Sequence, residues 1–217
     1  MSDDVTVEAH ASDPDAGHNW IEIAAACMLG IAAILTAYAA FYGAQAGDEA
    51  LKGYTQSARS TADANGEYTD YSQTYSADQA LYLQYALLTK QGDEVTAGEI
   101  KDEIFSQVLD DATEAWLVAP EVDRPLTPLG MDEYKIEAYD NAIAGFETAE
   151  AQFDEALKID DQGDNFDLAA VYLAVSLFFA GIAALFKTRR IQIVMLVGAS
   201  VLMIPGLQAI GKGKGWF

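Results

Sequence analysis

The stretch that decides the fold is LAAVYLAVSLFFAGIAALF at residues 168–186, followed by KTRR at 187–190 and IQIVMLVGASVLMIPGLQAIG at 191–211. Neither apolar run contains a charged residue, and each has close to the roughly 20 residues that an α-helix needs to cross a lipid bilayer. The four residues between the runs leave room only for a tight turn. The sequence therefore predicts two transmembrane helices, at residues 165–187 and 190–211, joined as a hairpin.

A third apolar run lies nearer the start of the chain, where residues 23–47 carry no charge. It predicts the first transmembrane helix at residues 20–46. The residues before it contain several acids and no Lys or Arg, whereas a cleavable signal peptide begins with basic residues. We therefore interpret this run as a retained anchor, residues 1–19 as a disordered acidic tail and residues 212–217 as a C-terminal tail.

Small residues recur every four positions in two of these runs. One row contains Ala39, Gly43 and Gly47, and the other contains Ser176, Ala180 and Ala184. Such rows let helix backbones approach each other closely in lipid. They indicate where the predicted transmembrane helices pack.

The charge of the chain is one-sided, with 34 acidic against 12 basic residues and a net charge of −22. Nucleic-acid binding needs Lys and Arg against the phosphates, so we predict no nucleic-acid partner. The predicted partners are membrane lipid and other protein chains. The single cysteine, Cys27, excludes a disulfide within one chain.

The densest basic cluster, Lys187 with Arg189 and Arg190, bears on the sidedness of the chain. Loops rich in Lys and Arg are retained in the cytoplasm, so three spans would place the large domain outside it. Basic residues also follow the first and third spans, and they argue for the opposite orientation: Lys52, Arg59, Lys212 and Lys214. We favour a multi-pass protein of the cell membrane with an extracytoplasmic domain.

Residues 47–164, between the first two spans, carry seven-residue repeats typical of coiled coils. One row holds Tyr54, Tyr68, Tyr75 and Tyr82, with Thr61 in its gap, and its companion holds Leu51, Ala58, Asn65, Ser72, Gln79 and Ala86. A later segment, at about 132–161, repeats Tyr139, Phe146 and Phe153 beside Ala142, Ala149 and Ala156. These rows predict an antiparallel coiled-coil stalk in which Tyr68 and Tyr75 face Phe146 and Phe153.

A small helical tip is predicted at about residues 92–131. Helical spacing of apolar residues from Ile100 to Trp116 indicates one amphipathic helix, and Thr96 with Glu99 has the pattern of a capping box. Three prolines then predict a loop over residues 118–131 that is unusually apolar. It either folds back on the tip helix or meets another subunit. The predicted fold class is thus all-α, with three transmembrane helices, a coiled-coil stalk and this tip.

No catalytic or metal-binding constellation is found in the sequence. The only histidines, His10 and His18, lie in the acidic tail, so nucleophilic catalytic sets and His/Cys zinc sites lack a histidine in the predicted domain. The acidic clusters at residues 63–70 and 160–167 lack the spacing and the final Glu of a calcium loop. We therefore predict a chain that is not an enzyme and has no cofactor. The interaction candidates are Trp116, Tyr68, Tyr75, Phe146 and Phe153.

Three stretches resemble a prokaryotic family of uncharacterised three-span membrane proteins. They are WIEIAAACMLGIAAILTAYAAFYGAQ at residues 20–45, EAWLVAP with PLTPLGMDEY at 114–120 and 125–134, and DNFDLAAVYLAVSLFFAGIAALF at 164–186. The resemblance covers most of the chain beyond the tail, and the tip phrase is its most specific part. It implies a helical domain between the first two spans and implies no activity.

Two hypotheses about function follow from these patterns. The first is a membrane-anchored structural or interaction protein that assembles as a homo-oligomer or within a larger membrane complex. The alternative is a homo-oligomeric ion channel with an acidic vestibule, which would concentrate cations. The sequence leaves the existence of a small-molecule ligand open.

Overall fold

The computed structural model describes residues 16–122 and 124–216, and within these ranges the protein is helical and has no strand. Its α-helices are α1 (Ala16–Gln91), α2 (Glu94–Ile104), α3 (Gln107–Val118), α4 (Glu137–Leu185) and α5 (Arg189–Gly213). The all-α prediction is confirmed. Residues 16–19 belong to α1 rather than to a disordered tail, whereas residues 1–15, with His10, lie outside the described residues.

The chain divides into two compact units, which are described separately. Unit 1 comprises Met1–Lys52 and Glu155–Phe217, and unit 2 comprises Gly53–Asp154. Helices α1 and α4 each contribute residues to both units. The predicted transmembrane helices therefore fall in unit 1, and the predicted tip falls in unit 2.

Three helices, α1, α4 and α5, are each long and apolar enough to cross a membrane. Only 17%, 33% and 22% of their most apolar windows are buried inside the protein. The remaining apolar side chains point outward, as Ile34 does at 72% exposure. By length and composition these helices are consistent with a membrane protein.

The core of unit 1 forms where the three apolar helices meet. Its buried residues come from α1, α4 and α5, and they are Ala39, Phe166, Ala169, Leu173, Ala209 and Ile210. Backbones approach closely at Gly206, where an added Cβ would lie 2.9 Å from Cγ of Leu173. Ser176 donates a hydrogen bond to the carbonyl oxygen of Ala199 at 2.8 Å, which satisfies a buried hydroxyl between α4 and α5.

The small-residue rows predicted for packing hold in part. Ala39, Ser176 and Ala180 are buried, and an added Cβ on Gly43 would collide with Asp167. The third member of each row does not pack in this way, because Gly47 has no atom near its Cβ position and Ala184 is exposed. The packing faces continue beside these two positions, because Ala50 on α1 and Ala183 on α4 are buried.

In unit 2, α1 and α4 run antiparallel. Residues later in α1 contact residues earlier in α4. The ring of Tyr54 contacts that of Phe153 with centroids 5.4 Å apart, and Tyr71 contacts Tyr139 at 5.0 Å. Between these pairs, the Ser57 hydroxyl donates to the carbonyl oxygen of Ala149 at 2.8 Å. The predicted antiparallel arrangement of the two segments is therefore present.

The row of α1 that packs most closely in unit 2 differs from the predicted companion row. The inward positions Ser57, Ala64, Tyr71 and Asp78 repeat every seven residues, and all but half-buried Tyr71 are fully buried. The predicted row was wrong, because Leu51, Ala58, Asn65, Ser72 and Gln79 are exposed. On α4, the predicted row of Ala142, Ala149 and Ala156 is buried.

The tip contains two helices where the spacing predicted one. Helix α1 ends at a turn in which Gly92 has φ +82°, a conformation that glycine adopts without steric cost. The side chain of Asp93 caps α2 by accepting from the backbone N–H of Thr96, so the predicted Thr96 capping box was wrong. The chain then becomes extended at Phe105 and Ser106, and the Ser106 hydroxyl caps α3 by accepting from the N–H of Leu109.

The loop after α3 folds back on that helix, which was one of its two predicted positions. Trp116 donates its indole N–H to the carbonyl oxygen of Pro125 at 2.7 Å. The guanidinium of Arg124 lies 4.5 Å from the centre of the Trp116 ring and donates to the Trp116 carbonyl oxygen. Pro128, in a short 3₁₀ turn over Pro128–Gly130, is buried.

Candidate functional site: a tyrosine cavity in unit 2

Four tyrosine rings line one cavity of about 410 Å³ in unit 2. Tyr71 and Tyr75 come from α1, Tyr134 from the loop before α4, and Tyr139 from the first turn of α4. We call it the tyrosine cavity. Its remaining lining residues are Leu129, Lys135, Ile136 and Asp140. A volume of this size is typical of small-molecule sites in proteins.

The rings are brought together by helix spacing and by one tight turn. Tyr71 and Tyr75 are four residues apart and so share a face of α1, with ring centroids at 5.9 Å. Tyr139 contacts Tyr71, and Tyr134 lies at 6.1 Å from Tyr75. The turn before α4 is fixed by backbone hydrogen bonds, including one from the N–H of Tyr134 to the carbonyl oxygen of Met131.

Asp78 holds Tyr134, one of the lining residues of the tyrosine cavity, in place. Its side chain is buried, and its Oδ2 accepts hydrogen bonds from the Tyr134 hydroxyl and from the Ser106 hydroxyl, both at 2.9 Å. Hydrogen bonds to a carboxylate are shorter and stronger than those between neutral groups, and they offset the cost of burying the acid. One carboxylate thus joins α1 to the start of α3 and to the loop before α4.

Burial and neighbouring groups keep the phenols of Tyr134 and Tyr71 protonated. Burial raises the pKa of Tyr134 above its ordinary value of 10.0, and the hydrogen bond to Asp78 with that carboxylate's charge raises it further. Burial also raises the pKa of Tyr71, and repulsion from the neighbouring tyrosines adds to the effect. The rings of Tyr134 and Tyr71 are therefore neutral at neutral pH, and Asp140 lines the same cavity.

The predicted interaction residues are only partly gathered at this cavity. Tyr75 lines it, whereas Tyr68 is half-exposed and contacts only its helix neighbour Tyr71 among the described rings. Phe153 packs on Tyr54 farther along the pair of helices, and Phe146 is half-buried on α4. Trp116 belongs to the tip, where its ring contacts that of Tyr82 at 6.4 Å between centroids. The predicted facing of Tyr68 and Phe146 is not present.

Three residues of the site were missed by the sequence analysis. Tyr71 follows the packing row through Ser57 and Ala64, so a register chosen three residues later than the Tyr54 row would have included it. Asp78 continues the same row as a buried acid. Tyr134 lies in a loop, and no periodic pattern points to it.

No group of three or more His, Cys, Asp or Glu side chains in residues 16–122 and 124–216 is placed to hold a metal ion. The acids of residues 63–70 and 160–167 thus form no such group. An ionic cluster in the tip has a structural role, since Lys101 contacts Asp110 at 2.7 Å and Glu114 at 3.2 Å and so joins α2 to α3.

Unit 1 contains a second aromatic cluster, and a lysine occupies it. The ammonium of Lys214 lies 3.6 Å from the centre of the Tyr42 ring, with Tyr38 and Phe166 at 5.8 and 5.9 Å. Attraction between a cation and aromatic ring faces favours this placement. The lysine thereby holds the end of α5 against α1 and α4.

Comparisons with protein-family models, with curated proteins and with solved structures found no match to this chain. The resemblance to a prokaryotic three-span family therefore stays a prediction.

Proposed function

We propose that this chain is a membrane-anchored interaction protein, which assembles through unit 2 as a homo-oligomer or within a larger membrane complex. The observation that carries the proposal is the apolar surface of the tip. Val118, Val122 and Leu126 are 85%, 90% and 94% exposed in and beside one loop. In a chain this acidic, neighbouring exposed aliphatic residues are a feature of interaction sites.

The anchoring part of the proposal is supported by the outward-facing apolar windows of unit 1. Two polar side chains of these helices are satisfied within the chain, since Thr36 donates to the carbonyl oxygen of Ala32 and Ser200 donates to that of Leu196. Such local hydrogen bonding suits helices surrounded by lipid. In this proposal the α1 and α4 segments of unit 2 form the coiled-coil stalk that carries the tip.

Assembly is tested by removing the apolar loop surface. We expect the double substitution Val122→Ser and Leu126→Ser to dissociate the oligomer, because both side chains are nearly fully exposed and would lose only contacts with a partner. Mass photometry of the full chain in lipid nanodiscs measures the change. Val95→Ser with Ile104→Ser is the matched control, since these residues of α2 are also exposed. An unchanged oligomer in the first variant, or a monomeric parent protein, would contradict assembly through this loop.

The sidedness is proposed from the basic turn between α4 and α5. Residues 186–190 are exposed, and three of them are basic, so retention of this turn in the cytoplasm places unit 2 outside it. Cys27 is the only cysteine, which allows labelling at chosen sites in a Cys27→Ala background. We expect Glu121→Cys to react with an impermeant maleimide in intact cells and Thr188→Cys to react only after permeabilisation. The reverse pattern would place unit 2 in the cytoplasm.

The channel alternative gains no support from the three hydroxyl side chains of the apolar helices whose hydrogen bonds are seen. Thr36, Ser176 and Ser200 each donate to a backbone carbonyl of their own chain rather than standing free along one face. A conducting path would need groups that could replace the water around an ion. We therefore favour the interaction protein over the ion channel.

A further inference from the structure

We propose that the tyrosine cavity of unit 2 binds an organic quaternary ammonium cation. This inference goes beyond assembly through the tip loop, because it assigns a small-molecule site to different residues. It rests on the shape of the cavity, on its charge, and on the way the same chain already holds an ammonium group.

The shape of the lining favours a ligand that contacts several ring faces. The planes of Tyr71 and Tyr139 are inclined by 51°, those of Tyr71 and Tyr75 by 37°, and those of Tyr75 and Tyr134 by 67°. These four rings line one cavity at inclined angles rather than lying in a flat stack. Concave groups of tyrosine rings are the usual recognition site for methylated ammonium groups, because each ring face is electron-rich.

The charge around the cavity favours a cation over an anion. Asp140 lines it, and Asp78 lies behind Tyr134 and accepts that residue's hydroxyl proton in a hydrogen bond. A phenol that donates to a carboxylate holds more electron density on its ring, which strengthens attraction of a cation. Lys135 is the one basic lining residue among the described residues, and its side chain is exposed, so its ammonium can remain in water.

The size and chemistry of the lining exclude a simple metal ion as the preferred ligand. The cavity is far larger than one ion, and no group of three acidic or imidazole side chains is placed to coordinate a metal in the described ranges. A quaternary ammonium is bulky and weakly hydrated, so it loses little hydration on entering an aromatic cavity. It needs ring faces and a nearby negative charge, which are the features present.

Lys214 shows that this chain uses the same interaction elsewhere. In unit 1 its ammonium is held by the rings of Tyr42, Tyr38 and Phe166. There the cation belongs to the protein and the aromatic cluster is filled. Among the described residues the side-chain cations that lie over rings are Arg124, over Trp116, and Lys214, so the four rings of the tyrosine cavity are open to an external cation.

The test uses choline as the probe and 3,3-dimethylbutan-1-ol as its uncharged analogue of the same shape. The full chain in nanodiscs is titrated by calorimetry or by ligand-detected NMR. We expect saturable choline binding with a Kd on the order of 1 mM, and binding of the neutral alcohol weaker by about tenfold. Equal binding of the two probes would show an apolar site without preference for charge and would overturn the proposal, as would the absence of saturable choline binding.

Variants locate the binding at these rings. Tyr75→Leu is expected to weaken choline binding by about tenfold, whereas Tyr75→Phe, which keeps the ring face, should retain most of it. Tyr54→Leu is the matched control, because Tyr54 lies on the same helix in unit 2 and does not line the cavity. With Trp20 and Trp216 replaced by phenylalanine, Trp116 fluorescence monitors folding of unit 2 in each variant. Equal losses in Tyr75→Leu and Tyr54→Leu, or equal losses in the two Tyr75 variants, would refute recognition by the ring faces.

The outcome is independent of the assembly experiment. The double substitution at Val122 and Leu126 alters no residue that lines the cavity. Choline binding with a monomeric parent protein would leave the cation site intact and remove the proposed assembly. An oligomer that does not bind choline would support the proposed assembly and remove the cation site.

Discussion

Replacement of Gly145 by leucine is expected to destabilise unit 2 by about 3 kcal/mol, because it forces α1 and α4 apart. A Cβ added to Gly145 would lie 2.8 Å from Cβ of Ala64 and 3.4 Å from its Cα. The obstructing atoms belong to the backbone and first side-chain carbon of a buried helix position, so no flexible side chain can move away. The remaining atoms of leucine add to this overlap.

The measurement uses a variant in which Trp116 is the single remaining tryptophan. Trp20 and Trp216 are both at least 70% exposed, so replacing each with phenylalanine leaves a reporter located in unit 2. Denaturant unfolding of the full chain in detergent then gives the change in stability. Gly66→Leu is the control, since Gly66 lies on α1, the helix that Gly145 packs against, with no atom near its Cβ position, and leucine there should stabilise the helix slightly. An unfolding midpoint for Gly145→Leu equal to that of the parent would mean that this close approach does not exist.

Replacement of Asp78 by alanine is expected to lower the stability of unit 2 by about 2–3 kcal/mol. The substitution removes the acceptor of two hydroxyl groups, those of Ser106 and Tyr134. Each hydrogen bond to a charged group contributes about 1.5–3 kcal/mol, so the two together exceed this value, but relief from burying the carboxylate offsets part of the loss. The net effect stays large because both donors lose their partner at once.

Asp70→Ala is the matched control for this prediction. Asp70 is exposed on the same helix of unit 2, so its removal should change stability by less than about 0.5 kcal/mol. The same single-tryptophan background reports both variants. If Asp78→Ala unfolds at the same denaturant concentration as Asp70→Ala, then the buried carboxylate contributes nothing net and the two hydroxyl groups find other partners.

Helix content and the apolar windows were predictable from the sequence because both depend on local composition over many residues. Runs of about 20 uncharged residues leave few alternatives to a helix that could cross a membrane. The rows of unit 2 were harder to assign. The closest row, Ser57, Ala64, Tyr71 and Asp78, mixes small, aromatic and acidic residues, so hydrophobicity gave no reason to choose it over its neighbour.

The candidate site was predictable only through Tyr75 and Tyr139, which the seven-residue spacing selected. Asp78 could not be distinguished from the many other acids of the chain, because its burial depends on partners 28 and 56 residues away. The break between α2 and α3 has the same origin. The helical spacing of apolar residues is interrupted at Ser106 because its hydroxyl donates a hydrogen bond to Asp78 on α1. The local sequence around Ser106 does not reveal this distant partner.

The wide separation in sequence between α1 and α4 has a consequence for biosynthesis. Ser57 and its partner Ala149 are 92 residues apart, so at ribosomal rates of about 5–20 residues per second α1 waits roughly 5–18 seconds for the helix that covers it. An unpaired helix forms in about a microsecond and must remain soluble throughout that time. A face of Ser57, Ala64, Tyr71 and Asp78 tolerates water far better than a leucine seam would. We therefore expect the nascent chain to avoid aggregation during the delay, since this face of α1 is excluded from water only after α4 has been synthesised and packs against it.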